Sequence, residues 1–347
     1  MKIRYLFSTL LLVACSGNDT ADDDDSTIAP QCGAAEYIAF DAANHANQDI
    51  RIAAYVEIVA RMRAAAEDPS TAAAEIMDLE ENVYTRADLR AKVQGRQDDH
   101  FDPPMDVGAD LDARIMAGFA AGRTATTAVD LTIARQAVDK TLIEFFYLSV
   151  FHEMVLGQRS KWDEAFGYYG APSDNAEGDR KGLAAVATSR DATNNTTLSA
   201  SIFNGIVDGS CALVNALTEA ATDEIDVRAT PALWSIIEAT DEDMQKVLAF
   251  SAGHEAFDMV EVQARLPNGA QEDIDEMRIK LAELDPYFKP IERLMNDRGG
   301  MSAARAARLR SEIDAALNDS TTAWMATFDA QGIIDDLEAE YGIDVRG

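Results

Sequence analysis

Apolar side chains recur at intervals of three and four residues along most of this chain. That spacing places them on one face of an α-helix and is typical of amphipathic helices. The clearest segments are residues 50–59, 130–156, 241–261 and 302–317. Alternating runs that would indicate strands are too short to be useful. The pattern therefore predicts an all-α protein, either one helical bundle or two packed bundles.

Prolines mark the expected ends of several helices. Proline lacks a backbone N–H, and the residue before it is disfavoured in the helical conformation. The expected breaks are Asp68-Pro69, Asp102-Pro103, Leu266-Pro267 and Asp285-Pro286.

Two apolar helical segments carry the same short pattern, Ser-x-x-His-Glu, ending at His152-Glu153 and at His254-Glu255. The repetition is consistent with a duplicated bundle whose halves are residues 34–190 and 191–345. It is equally consistent with chance similarity.

The N-terminus has the features of a bacterial lipoprotein signal peptide. Lys2 and Arg4 precede an apolar run at residues 6–13, which is too short to span a membrane. The run ends in Leu12-Val13-Ala14-Cys15, which matches the lipobox. We therefore predict that residues 1–14 are removed and that the thiol of Cys15 carries acyl chains such as palmitate. The alternative is an ordinary secretory signal that happens to end in cysteine.

Residues 15–33 are polar and include the run Asp22-Asp23-Asp24-Asp25, so they are predicted to form an acidic, disordered tether before a helical domain at 34–345. Position 16 is serine. In Gram-negative bacteria an aspartate there usually retains a lipoprotein in the inner membrane. We therefore expect a cell-envelope protein that is lipid-anchored in the outer membrane.

The net charge of −31 limits the expected partners. Such a field repels nucleic acid and anionic lipid headgroups. It suits cations or a basic protein surface, or it reflects solubility in a salty habitat. The expected partners are the membrane, through the lipid anchor, and an unidentified ligand or envelope protein.

Two of the three cysteines remain once Cys15 is acylated. The envelope permits disulfides, so a bridge between Cys32 and Cys211 would tie the end of the tether to the helical domain. The wide separation of Cys32 and Cys211 does not match a zinc site.

Histidines and carboxylates on the two repeated segments offer a hypothetical metal site for iron or another divalent metal. Its predicted ligands are Glu144, His152, Glu153, His254, Glu255 and Asp258. The spacings His-Glu-x-x-His of zinc proteases and Glu-x-x-His of di-iron bundles are missing from the sequence. The alternative is that each histidine is a hydrogen-bonded residue of the core or surface.

An aromatic string at residues 161–172 is the sharpest local motif. Trp162, Phe166 and Tyr169 fall on one helical face, and two acidic residues are expected in the first turn, where the helix dipole favours them. One interpretation is an aromatic clasp that fixes this helix on its neighbour. The other is the rim of a ligand pocket formed by Trp162, Asp163, Glu164, Tyr168 and Tyr169.

The nine residues 162–170, W-D-E-A-F-G-Y-Y-G, resemble the signature of an uncharacterised family of bacterial lipoproteins. Such proteins are similar in general plan to imelysin-like proteins, helical-bundle lipoproteins linked to iron uptake. The resemblance implies a helical envelope protein involved in iron acquisition. The imelysin-like motif Gly-x-His-x-x-Glu is not kept, because Val155 and Phe257 stand at the glutamate positions.

Two functions follow from these features. The first is a binding lipoprotein without turnover, with metal or iron acquisition as its role. The second is a metal-dependent hydrolase that uses His152 with Glu153, or His254 with Glu255, as ligand and base. The missing protease and di-iron spacings favour the binding protein.

Overall fold

The computed structural model describes residues 40–86, 88–172 and 179–346. Within these ranges the chain forms twelve α-helices, and its only strands are the two-residue antiparallel pair β1 (Gln97–Asp98) and β2 (Met105–Asp106). The predicted all-α class is confirmed. The predicted signal peptide and tether, with Cys15 and Cys32, lie outside the described residues.

The helices in chain order are α1 (Ala42–Glu67), α2 (Ala72–Asp78), α3 (Leu89–Gln94), α4 (Gly108–Thr124), α5 (Ala128–Val155), α6 (Arg159–Tyr169), α7 (Gly182–Asn194), α8 (Leu198–Ala220), α9 (Pro231–Arg265), α10 (Gln271–Arg298), α11 (Gly300–Asn318) and α12 (Ala330–Tyr341). A single π-helical turn, Leu79–Tyr84, follows α2.

Helix α5 lies at the centre of the N-terminal part of the bundle. It packs against α1, α4, α6 and α10, and every residue from Thr141 to Phe151 is buried, as the apolar sequence of this segment predicts. Helix α9 packs against α8, α10 and α12. One continuous hydrophobic core extends from α1 to α12.

The two Ser-x-x-His-Glu segments lie on α5 and α9. In both, the serine hydroxyl donates to the carbonyl four residues earlier, Ser149 to Phe145 at 2.7 Å and Ser251 to Val247 at 2.8 Å. The segments share this local feature, and a duplication of the bundle stays a prediction.

Two of the four proline breaks, Asp68-Pro69 and Leu266-Pro267, lie at the ends of α1 and α9. Asp102-Pro103 lies between β1 and β2, where no helix ends, and the predicted break at Asp285-Pro286 is wrong. Helix α10 continues through Pro286 and Pro290. Each proline removes a helical hydrogen bond, at a cost of about 3 kcal/mol or more. Both prolines are buried, together with Tyr287, Phe288 and Ile291. The burial of this apolar face offsets the lost hydrogen bonds, so the helix continues.

Helix α8 is the one helix in the described part of the chain that is long and apolar enough to cross a membrane. In this structure it packs against α6, α7 and α9. Cys211, on α8, is 2% exposed and takes part in a disulfide. Because Cys32 lies outside the described residues, the pairing of Cys32 with Cys211 stays a prediction.

Candidate functional site

The aromatic string forms α6, which docks on α1. The helix begins at Arg159, so Asp163 and Glu164 lie in its second turn, one turn later than expected from the sequence. Phe166 stacks on Phe40, with ring centroids 4.1 Å apart. Trp162 is completely buried and packs against the backbone of Gly209 on α8.

Polar side chains of α6 complete the contact with α1. Asn44 donates to Asp163 Oδ2 at 2.6 Å, and Gln48 donates to Glu164 Oε2 at 2.6 Å. Arg51 donates to the hydroxyl of Tyr168 at 2.9 Å. Three residues of the motif are therefore hydrogen-bonded to side chains on successive turns of α1.

The two glycines of the motif have separate roles. A Cβ on Gly167 would lie 2.8 Å from the Cβ atoms of both His45 and Gln48, so glycine lets α6 and α1 approach closely. Gly170 ends α6 with φ +83°, in the left-handed region that favours glycine.

Most of the residues proposed for a pocket rim lie in the core instead. Trp162, Tyr168 and Tyr169 are 0%, 1% and 0% exposed. Their size and aromatic character are used for packing between helices, as in the clasp interpretation. Asp163 is also buried against α1, whereas Glu164 lines a cleft on the surface.

Three of the four carboxylates proposed as metal ligands are neutralised by lysine or arginine. Glu144 accepts from Arg114 at 2.7 Å and from Arg293 at 2.8 Å, so two guanidinium groups occupy its two oxygens. The ammonium group of Lys280, on α10, lies 3.0 Å from Glu255 and 2.5 Å from Asp258, which are both on α9.

The two histidines proposed as metal ligands have different surroundings. His152 Nδ1 lies 2.6 Å from Asp99. His254 stacks near Phe257, and burial together with the positive charge of Arg190 lowers the pKa of the His254 imidazole. Among the described residues no group of three or more His, Cys, Asp or Glu side chains is arranged to hold a metal ion. The six proposed ligands are not brought together.

Two of the proposed residues, His152 and Glu153, instead line a cleft with Glu164, which we call the α3–α6 cleft. It has a volume of about 440 Å³. Seven of its nine lining residues are charged or polar: Asp88, Lys92, Arg96, His152, Glu153, Lys161 and Glu164, with Ala91 and Gly95. The sequence motif and the end of α5 thus meet at one surface feature.

Two charged side chains in this cleft are buried without full hydrogen bonding. Arg96 is 5% exposed, and its guanidinium lies over the rings of Phe145 and Tyr168, 5.5 and 5.9 Å from their centroids. Its Nε has no hydrogen-bond partner within the described ranges. Glu153 is also 5% exposed, and its Oε2 likewise has no hydrogen bond there.

The electrostatics of Glu153 follow from this burial. The nearest cation to its Oε2 is Lys161 Nζ at 3.5 Å, but that ammonium lies closer to Glu164, at 2.6 Å. Burial, followed by the negative charge of Glu164, raises the pKa of the Glu153 carboxyl above its ordinary value. Glu153 is therefore an incompletely neutralised acid at the wall of a cleft.

A second cluster, around His100, was missed by the sequence analysis. His100 Nδ1 lies 2.6 Å from Asp98 and its Nε2 lies 3.1 Å from Asp241, while the Tyr147 hydroxyl donates to Asp241 at 3.0 Å. Burial opposes the charge on His100, but Asp241 and Asp98 raise its pKa to about 9. The only sequence signal was the run Asp98-Asp99-His100 in a chain with four histidines.

His100 forms part of the wall of a second cleft, of about 450 Å³, which also includes Trp234, Arg228 and Arg298. Because both of its ring nitrogens are held by carboxylates, the imidazolium is a fixed positive charge. It has no free lone pair with which to act as a general base. Asp98 also accepts from Arg293, which links this cluster to Glu144. The cluster is therefore well suited to joining α5, α9 and α10.

Comparison with known proteins finds no protein family, no curated protein and no solved structure that matches this chain.

Proposed function

We propose that this chain is a cell-envelope lipoprotein that binds a small molecule in the α3–α6 cleft. The observation that carries this proposal is the pair of buried, incompletely hydrogen-bonded charges, Arg96 and Glu153, on the wall of one cleft. A buried charge without partners is costly, and a ligand that supplies those partners recovers the cost on binding.

A binding role accounts for the chemistry of the cleft better than hydrolysis does. Hydrolysis would need a group free to take up a proton, next to an activated water or a nucleophile. The described residues that line the α3–α6 cleft include no serine, threonine or cysteine that could act as a nucleophile. In the second pair proposed for catalysis, Glu255 is bound by Lys280, so it is not free to act as a base.

Iron or another metal is the less favoured ligand for this cleft. The Lys161 ammonium lies within 3.5 Å of Glu153 and within 2.6 Å of Glu164, so it occupies the position of greatest negative charge. A metal ion there would be repelled by Lys161 and by Arg96.

Blocking the cleft tests the binding proposal. Gly95 has φ −92°, and an added Cβ would meet only Ala91 O at 3.5 Å, so a side chain can begin at this wall without a backbone clash. We expect the wild-type lipoprotein, purified in detergent from its host, to release a small molecule on denaturation that mass spectrometry detects. The Gly95→Trp variant should lose at least nine-tenths of that molecule.

The matched control is Gly95→Ser, which adds a Cβ but little volume and should retain the molecule. Equal recovery from wild type and Gly95→Trp, with unchanged melting temperatures, would remove the α3–α6 cleft as the binding site.

The anchoring part of the proposal concerns Cys15, the acylated residue in the lipobox. Cys15→Ser removes the thiol to which the acyl chains would be attached, so the protein should no longer incorporate labelled palmitate or sediment with membranes. A Ser16→Ala variant is the control and should remain acylated. Labelling that persists in Cys15→Ser would contradict the lipoprotein assignment.

A further inference from the structure

The α3–α6 cleft holds buried groups of both signs that are not paired with each other. Among the described residues no ion pair joins Arg96 to Glu153, whose only ion-pair partner is Lys161 at 3.5 Å. We infer that the ligand is a small zwitterion, an α-amino acid or a dipeptide, whose carboxylate binds Arg96 and whose ammonium binds Glu153. This inference rests on the function proposed above.

Arg96 is suited to receive a carboxylate. Its guanidinium lies over the ring faces of Phe145 and Tyr168, and its Nε has no hydrogen-bond partner among the described residues. Guanidinium groups bind carboxylates through parallel, charge-assisted hydrogen bonds. Because Arg96 is only 5% exposed, its side chain has already lost most of its freedom, and binding costs little further side-chain entropy.

Glu153 is arranged to receive an ammonium group. Its Oε2 is buried and accepts no hydrogen bond within the described part of the chain, and Lys161 is directed mainly to Glu164. A ligand ammonium would supply the missing donor and a positive charge. Such a contact would oppose the burial and the repulsion from Glu164, which raise the pKa of the Glu153 carboxyl.

The remaining charges of the cleft argue against a ligand of a single sign. A simple anion would lie near Glu153 and Glu164, and a simple cation would lie near Arg96 and Lys161. A zwitterion of the right length places each charge beside its complement, and its net charge of zero suits a cleft with nearly balanced charges.

Calorimetric titration of the full lipoprotein in detergent tests this inference. The probes are the twenty protein L-amino acids and glycylglycine, each titrated separately. For the tightest binder, the deaminated carboxylate and the decarboxylated amine are then compared with the parent compound. Each analogue should bind about 10- to 100-fold more weakly, the usual worth of one hydrogen bond to a charged group.

Two substitutions test which side chain binds the carboxylate of the ligand and which binds its ammonium group. Arg96→Met should weaken the parent zwitterion about as much as removal of its carboxylate does, and should leave the affinity for the decarboxylated amine unchanged. Glu153→Gln should weaken the parent zwitterion about as much as removal of its ammonium group does, and should leave the affinity for the deaminated carboxylate unchanged. The control is Glu238→Gln, which changes an exposed residue in the second cleft, beside His100, and should not alter the affinity for the parent zwitterion. Where Arg96→Met fails to fold, Arg96→Lys provides the same comparison, because it keeps the charge and loses the parallel hydrogen bonds.

The inference is overturned if an analogue with one charge binds as tightly as the parent, or if none of the twenty-one compounds binds. If a molecule of another class is recovered from wild type but not from Gly95→Trp, the zwitterion inference is wrong and the proposed binding function still stands. If Gly95→Trp does not reduce the recovery, the proposed binding function itself is wrong.

Discussion

Replacement of Trp162 with alanine is expected to lower the free energy of unfolding by about 3–5 kcal/mol, the usual cost of emptying a core aromatic site. The side chain is 0% exposed and fills the contact between α6 and α8. Urea denaturation followed by circular dichroism measures the change. Trp234, which is only partly buried, is the matched control, and Trp234→Ala should cost clearly less.

A double-mutant cycle makes this prediction specific to the contact with α8. A Cβ on Gly209 would lie 2.2 Å from Trp162 Cη2, so Gly209→Ala should destabilise the wild-type protein. In the Trp162→Ala background the same methyl group meets an empty space, and its cost should largely disappear. A change near zero for Trp162→Ala, or additive effects of the two substitutions, would show that Trp162 does not fill this contact.

Replacement of Glu144 with alanine is expected to cost about 3 kcal/mol, because it removes the carboxylate that Arg114 and Arg293 share. Each arginine keeps one other carboxylate partner, Asp110 and Asp98 respectively, so the loss should lie at the low end of the range for a broken buried ion pair. The same denaturation experiment measures the loss, with the exposed residue Glu238 as control. Glu238→Ala should change stability by less than about 0.5 kcal/mol.

The Glu144 experiment also separates a structural role from a metal-binding role. Because two arginines neutralise this carboxylate, the loss of stability should be the same with and without a chelator such as EDTA. A loss that appears only in the absence of the chelator would restore Glu144 as a metal ligand. Such a result would contradict the ion-pair interpretation of the cluster.

The helices were predictable because their signals are local. The spacing of apolar residues in segments 130–156 and 241–261 lies within single helices, and both segments are helical in the structure. The continuation of α10 through Pro286 was not predictable from local signals. Whether a proline ends a helix depends on what its other side chains bury, and residues around Pro286 pack into the common core.

The importance of the aromatic string was also visible in the sequence, but its role was not. The spacing of Trp162 and Phe166 places them on one helical face, and that spacing serves a clasp or a pocket rim equally well. The choice depends on what faces the helix. Gly209 lies on α8 and Phe40 precedes α1, so neither contact leaves a mark within the motif itself.

The sequence by itself determined the helical class of this protein, the location of four of its helices and the burial of α5, because each depends on residues three or four positions apart. Only the tertiary structure decided which charges meet. Arg293 on α10 reaches Glu144 on α5, and Lys280 on α10 reaches Glu255 on α9. Such partners are distant in sequence, and a carboxylate on a helix looks the same whether a lysine, an arginine or a metal will face it. Its chemistry is set by the neighbour that folding supplies.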